Sequence, residues 1–167
     1  MLSASLAQLV RAPALQAGGR RFESYNSHHF IMTKNVQKYL DFHKKHGGTG
    51  KLFNFKFLSY IEGTLELEAS FSELTLNPDG SVQGGMMTSM LDDVTSLLLI
   101  VESDGRVYPA STDLHTLHHL PLKSGICTLK ASIMRKGKSI ATVKGEMFDQ
   151  AGKLVTTLVH TVYLISR

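Results

Sequence analysis

From Met86 onward, Met87, Met90, Leu91, Val94, Leu97, Leu98, Leu99 and Ile100 recur at helical spacing, so the run from Gly84 to about Val101 predicts one long helix. Its polar residues are few and of one kind. Thr88, Ser89, Asp92, Thr95 and Ser96 fall three or four positions apart and share a face. A face turned to water would carry Lys, Arg and Glu, and this one carries small hydroxyls and an acid. A helix otherwise apolar nearly all round is expected to be wrapped by protein.

The flanking pattern is different. From Thr33 to about His46, Val36, Tyr39, Leu40 and His43 lie on one side and lysines on the other, which predicts a helix capped by Thr33 or Asn35 and ended by Gly47-Gly48. Phe53 to Phe71 predicts two strands, FNFKFLSYI and TLELEASF, joined near Glu62-Gly63. In the second of these, Thr64, Glu66, Glu68 and Ser70 alternate with Leu65, Leu67, Ala69 and Phe71. After a turn at Asp104-Gly105, strands are predicted at Tyr108–Leu120, Gly125–Arg135, Ser139–Asp149 and Lys153–Ile165, separated by short polar or Gly-containing breaks. In the last strand, Leu154, Leu158, Val162 and Leu164 oppose Val155, Thr157, Val159, Thr161, Tyr163 and Ile165. A long helix between a strand pair and a run of antiparallel strands is an α+β layout, with the helix on the concave side of one curved sheet. The edges of such a sheet need cover, which a symmetric second copy would supply.

Composition narrows the classes. A chain of 167 residues, 43% hydrophobic, suffices for one domain with a real core and not for two. No apolar run approaches the roughly 18 uninterrupted residues expected of a membrane span. The single cysteine, Cys127, excludes an internal disulfide framework, suits a reducing compartment, and lies in a predicted strand as an inert buried thiol. A net charge of +4 is thinly spread, without basic blocks or interleaved aromatics, so no nucleic-acid partner is expected. That mild positive balance suits an anionic small ligand such as a phosphorylated carrier.

Residues 1–31 do not share this patterning. They are rich in Arg, Ala and Ser and lack an acid until Glu23, as in a mitochondrial transit peptide. Yet Ala7–Ala12 (AQLVRA) and Arg21–Ser24 (RFES) are what the D-arm and T-arm of a tRNA gene would encode, in the right order. The expectation is a spurious upstream extension, with Met32 as the natural start and residues 32–167 as the folded domain. The expected location is the cytoplasm, or the mitochondrial matrix if residues 1–31 are a genuine transit peptide.

The chemistry concentrates between Asn77 and Asp93. Asn77, Pro78, Asp79 and Gly80 form a turn, and Gly84-Gly85 open the helix with backbone N–H groups free for a polarised oxygen. A carboxylate about two turns on, at Asp92, completes a set suited to acyl chemistry. Asp93 points about 100° away and is expected to cap a neighbour or face a subunit contact. A phosphate loop is excluded because Met86-Met87, not Lys-Ser/Thr, follow the glycines. His115 and His119 share a strand face while His118 points to the other; no third metal ligand joins them, since His160 is on another strand. No Ser-x-Gly elbow and no histidine in an evident base role is found, against a serine triad.

These residues resemble a family. The chain from about Leu52 to Ile165 resembles the hotdog-fold acyl-CoA thioesterases of the phenylacetate-pathway type, in which Asn, a Gly turn and His-Gly-Gly or Gln-Gly-Gly precede a helix bearing the catalytic acid. Asn77, Gly80, Gln83-Gly84-Gly85 and Asp92 stand at those places. Ser111-Thr112-Asp113 matches a later strand, and Lys136-Gly137-Lys138 a hairpin turn. The resemblance implies a hotdog fold, an antiparallel sheet wrapped around one long central helix. It also implies hydrolysis of an aryl or medium-chain acyl-CoA to the acid and CoA, with no cofactor. In the implied mechanism, the Gly84 N–H and Gln83 polarise the thioester carbonyl, and Asp92 attacks it or activates water. Ser111 positions that water or the carboxylate, and Asn77 fixes the opposite side. Gly85, Lys136, Gly137 and Lys138 would contact the substrate or its CoA, and the site is shared between subunits of a dimer or tetramer. Gln83 departs from the more common histidine; glutamine cannot act as acid or base, though its amide can donate. The alternative reading is a non-catalytic acyl-CoA binding protein of the same fold.

Overall fold

The computed structural model describes residues 36–167. The expectations for residues 1–31, the start at Met32 and the cap at Thr33 or Asn35 lie outside the described residues. Helix α1 covers 36–46 and α2 Gly48–Phe53. Strands β1 (Lys56–Ile61) and β2 (Thr64–Phe71) form a hairpin, a 3-10 turn follows at Glu73–Thr75, and α3 spans Gly84–Glu102. Strands β3 (Val107–His118), β4 (Gly125–Lys136), β5 (Ile140–Phe148) and β6 (Leu154–Ser166) complete the domain.

All six strands belong to one antiparallel sheet in the order β1-β2-β4-β5-β6-β3. Alternation decides its inner face. Leu65, Leu67 and Ala69 of β2, Leu129 and Ala131 of β4, Val143 and Met147 of β5, and Leu158 and Val162 of β6 are buried against α3. The helix answers with Met90, Leu91, Val94, Leu98 and Leu99, each almost fully enclosed. Each such side chain contributes roughly 1.5–3 kcal/mol by leaving water. Register irregularities in β1, β3, β4 and at the end of β5 let the sheet curl around the helix. By length and composition α3 is apolar enough to cross a bilayer, which corrects the expectation that no segment approaches that threshold. Its apolar surface is accounted for by the sheet that covers it.

One element differs from the predicted pattern. Gly47-Gly48 do not begin a loop into a strand at Phe53; GTGKLF forms α2, and Asn54 ends it in the left-handed conformation (φ 50°). Phe53, read as the start of a strand, is fully buried and packs edge-on against Phe55 and Phe71. The remaining strands match their predicted spans within about two residues. Cys127 is buried in β4 beside the Ala69 carbonyl and the Met90 sulfur, and burial pushes its thiol up to about 12.

Candidate active site

The polar stripe of α3 is not a wet face. It is the seam where the helix meets β3 and β6. Thr88 donates to Thr116 Oγ1 at 3.1 Å, Ser111 Oγ donates to Asp92 Oδ1 at 3.1 Å, and Thr95 Oγ1 lies 2.7 Å from His160 Nδ1. Thr88, Asp92 and Thr95 thus face polar partners on the sheet, where long charged side chains would have no room.

Ser111 reaches Asp92 because of the local register of β3. Ser111 pairs with Val162 and Asp113 with Thr161, with a bulge between them. Thr112 Oγ1 donates to the Thr161 carbonyl there. The bulge turns Ser111 to the helix side with Val162 while Asp113 takes the outer side with Thr161. Asp92 is about one-third exposed and opens into a cleft of about 420 Å³ lined by His43, Asp93, Ser96, Leu97, Ile100, Tyr108, Pro109, Ala110 and Ser111.

Asn77, Gln83, Gly84 and Gly85 gather at the other end of the seam. The loop folds on itself, with Asn77 N–H donating to the Ser81 carbonyl, Gly80 N–H to the Asn77 carbonyl, and Gln83 N–H to the Thr75 carbonyl. Gly80 adopts φ 78°, which this tight turn requires. Gln83 is the N-cap of α3, and its Oε1 accepts from Met86 N–H at 3.0 Å. The Gln83 oxygen is thus engaged by the helix, and its amide N–H₂ remains to donate. Gly85 permits the cap, since a Cβ there would lie 2.9 Å from Gln83 Oε1. Among the described residues, the N–H groups of Gly84 and Gly85 have no acceptor. A Cβ on Gly84 would stand 3.0 Å from His118 Nε2, so the imidazole closes over the helix start.

The two groups are separate within one chain. Gly84 and Asp92 are eight residues apart, about 12 Å of helix rise. A single carbonyl cannot touch both, so the expectation that one helix holds the carbonyl at its start and attacks it two turns later fails inside a protomer. The Lys136-Gly137-Lys138 turn lies elsewhere again. Ile140 pairs with Tyr163, which pairs with Ala110, placing that exposed turn two strand spacings, about 10 Å, from the Ser111 end of β3.

Asp93 borders the same cleft as Asp92. Its Oδ1 lies 3.4 Å from His43 Nε2 of α1. His160, set aside in the sequence as lying on a different strand from His115 and His119, is a constituent of this site. It is completely buried, with Nε2 3.4 Å from Asp92 Oδ1. Burial lowers its pKa below the ordinary histidine value, against the pull of Asp92 and Asp113. The signal was present: inward positions Leu158, Val162 and Leu164 of β6 skip a place, and the residue in it is His160. His118 and His119 hydrogen-bond to Thr156 and Thr157 of β6. Among the described residues, no group of three His, Cys, Asp or Glu side chains is arranged to hold a metal.

Known proteins share this fold. Residues 79–156 match the thioesterase superfamily model, a segment that includes the loop, α3, β3, β4 and β5. The human acyl-coenzyme A thioesterase 13 is 25% identical over 109 residues, 64% of this chain and 77% of that protein. A phenylacetic acid degradation-related protein of Ralstonia eutropha is 27% identical, with a TM-score of 0.69 over 77% of this chain and 98% of its own. An Escherichia coli protein from the phenylacetic acid degradation operon superposes with a TM-score of 0.70 at 16% identity, over 81% of this chain and 96% of its own. In its fold and over residues 79–156, the chain is thus similar to the thioesterase superfamily.

Proposed function

We propose that the protein is an acyl-CoA thioesterase that hydrolyses an aryl or medium-chain acyl-CoA to the free acid and CoA. The observation that carries this reading is the Asp92 carboxylate, held by Ser111 in an open cleft on a helix whose N-terminal glycines leave donors free. The carbonyl oxygen is polarised by Gly84 N–H, with the Gln83 amide and Asn77 beside it. Asp92 attacks the carbonyl carbon or takes a proton from the attacking water, and Ser111 holds the carboxylate in place. The thioester C–S bond breaks and the sulfur leaves as CoA thiolate, which is then protonated; on the direct-attack route, water hydrolyses the resulting aspartyl anhydride, releasing the acid and restoring Asp92.

The 12 Å between the two groups supports a site shared between copies, in which the Asn77–Gly85 loop of one protomer faces Asp92 and Ser111 of the other. Support for assembly comes from β3. Among the described residues it is a 12-residue edge strand paired only with β6, and it exposes Leu114 and Leu117. An unpaired edge of that length is a surface that proteins normally cover. The human relative's name supports acyl-CoA as the substrate class.

The acyl preference rests on a second cavity. The Asp92 cleft shares His43, Leu97, Ile100 and Tyr108 with a cavity of about 520 Å³ beneath α1, which Tyr39, Phe42 and Val107 help to line. That volume and lining suit an aromatic or medium aliphatic group. The exposed Lys136-Gly137-Lys138 turn, with Gly85 at the helix start, is assigned to the CoA portion.

The test is thiol release by purified protein on a panel of aryl- and alkyl-CoA esters, with sedimentation run in parallel. Hydrolysis of aryl or medium-chain esters by a dimer or tetramer supports the proposal. A fully active monomer refutes the shared site. Tight binding of the esters without thiol release shows instead a non-catalytic acyl-CoA binding protein.

A further inference from the structure

The inner face of β6 is apolar at Leu158, Val162 and Leu164, and between them sits a fully buried histidine. Leucine there would satisfy packing alone. A buried ring nitrogen without a partner is costly, and His160 Nε2 has no hydrogen-bond partner of ordinary geometry among the described residues. It faces Asp92 Oδ1 at 3.4 Å. Ser111 Oγ donates to that same oxygen. Oδ2 of Asp92 has no hydrogen bond among the described residues, and the side chain borders the cleft.

Proton accounting identifies the state of the ring. Thr95 Oγ1 has one proton and three acceptors in range: the Leu91 carbonyl at 2.8 Å, the Asp92 carbonyl at 3.0 Å and His160 Nδ1 at 2.7 Å. If Nδ1 carried the only ring proton, a bare Nε2 lone pair would face a carboxylate oxygen. If both nitrogens were protonated, a charge would lie on a ring with no exposed surface, which burial disfavours. The arrangement without either conflict is a neutral ring, with Thr95 donating to Nδ1 and Nε2–H directed at Asp92.

We infer that His160 is a positioning residue: with its tautomer set by Thr95, it joins Ser111 in holding Asp92 Oδ1 and leaves Oδ2 for the reacting carbonyl or its water. The contact shortens when substrate fills the cleft, as hydrogen bonds at such sites commonly do on reaching the Michaelis complex. This inference rests on the thioesterase reading for its kinetic consequence, but the tautomer does not depend on it.

The experiment therefore has two arms on the full-length protein. In the first, ¹⁵N NMR of histidine-labelled protein identifies the His160 ring signals by their loss in His160→Gln. The neutral Nε2–H form near pH 7 is expected, with Thr95→Val shifting the ring toward the other tautomer. An Nδ1–H ring or an imidazolium overturns the inference. In the second arm, His160→Leu lowers kcat on the order of 10²-fold, the worth of one positioned donor, while KM changes little. His160→Gln places an amide N–H where Nε2–H was and recovers kcat to within about tenfold of the parent. Equal kcat in His160→Leu and the parent, or Gln no better than Leu in folded proteins, refutes the positioning role. Should both variants fail to fold, the tautomer in the parent decides. A parent that releases no thiol refutes the thioesterase reading alone, and an Nε2–H ring would still uphold the contact.

Discussion

Gly145 of β5 is where the central helix rests on the sheet. A Cβ at this position would lie 3.1 Å from Thr95 Cγ2 and 3.3 Å from Leu91 Cδ2. Ordinary carbon contacts are about 3.5–4.0 Å, so Gly145→Ala requires α3 to lift by a few tenths of an ångström. Thr95 cannot rotate aside without losing the Leu91 carbonyl and His160 Nδ1 as partners of its hydroxyl. Overpacking costs about 1–3 kcal/mol, offset by about 0.5–1 kcal/mol from the smaller entropy that alanine loses in a strand. From the middle of each range the net loss is about 1.2 kcal/mol, or roughly 2–5 °C in Tm at this chain length. Turnover should fall as well, by about threefold to tenfold, because Asp92 and Thr95 share the helical turn that moves. Thermal unfolding and thiol release on the same preparations measure both. An alanine variant as stable and as active as the parent would refute the close helix–sheet contact and its coupling to the site.

Three other outcomes are expected. Gln83→Ala removes the N-cap of α3 and should lower the urea unfolding free energy by about 0.5–1 kcal/mol while reducing kcat less than tenfold. A larger kinetic loss would show that the Gln83 amide itself acts on the substrate. Ser111→Ala removes a hydrogen bond to a carboxylate worth about 1.5–3 kcal/mol and should cut kcat by about 10–100-fold with the fold intact, checked by steady-state kinetics and circular dichroism. The buried His160 should make the fold acid-sensitive. Its folded pKa lies below the ordinary 6.5, with Asp92 and Asp113 opposing the shift, so below that pH the unfolded chain binds a proton that the folded one resists. This contribution is fully present above about pH 6.5 and is lost as pH falls toward the lowered folded value. Urea midpoints from pH 8 to 5 should fall with a shallower slope in His160→Gln, and a parent stability that rises on acidification would contradict this.

Much of the fold was legible because its signals are local and periodic. The α3 run and the alternation in β2 and β6 report burial directly, and Glu62-Gly63 and Asp104-Gly105 mark turns that the structure contains. The α2 segment was not legible. GTGKLF has weak helical propensity, and its helix is held by Phe53 packing against the nearby Phe55 and against Phe71 at the far end of β2. The pairing of Asp92 with Ser111 required a register known only once β3 and β6 are aligned with their bulge. His160 was visible as a polar residue at an inward position, but its partner Thr95 is 65 residues away. Gln83 immediately precedes the helix, the position from which a side-chain oxygen caps it.

The account depends most on which of two adjacent acids carries the chemistry. Asp92 is held by Ser111, whereas Asp93, in the same cleft, lies against His43 of α1. Asp92→Asn and Asp93→Asn preserve shape and remove one charge each. The decisive measurement is thiol release by both variants on the acyl-CoA ester that the parent hydrolyses best, with ligand binding measured alongside. Asp92→Asn is expected to lose on the order of 10²–10⁴ in turnover while still binding the ester, and Asp93→Asn to lose little. Parent-level turnover in Asp92→Asn would contradict this.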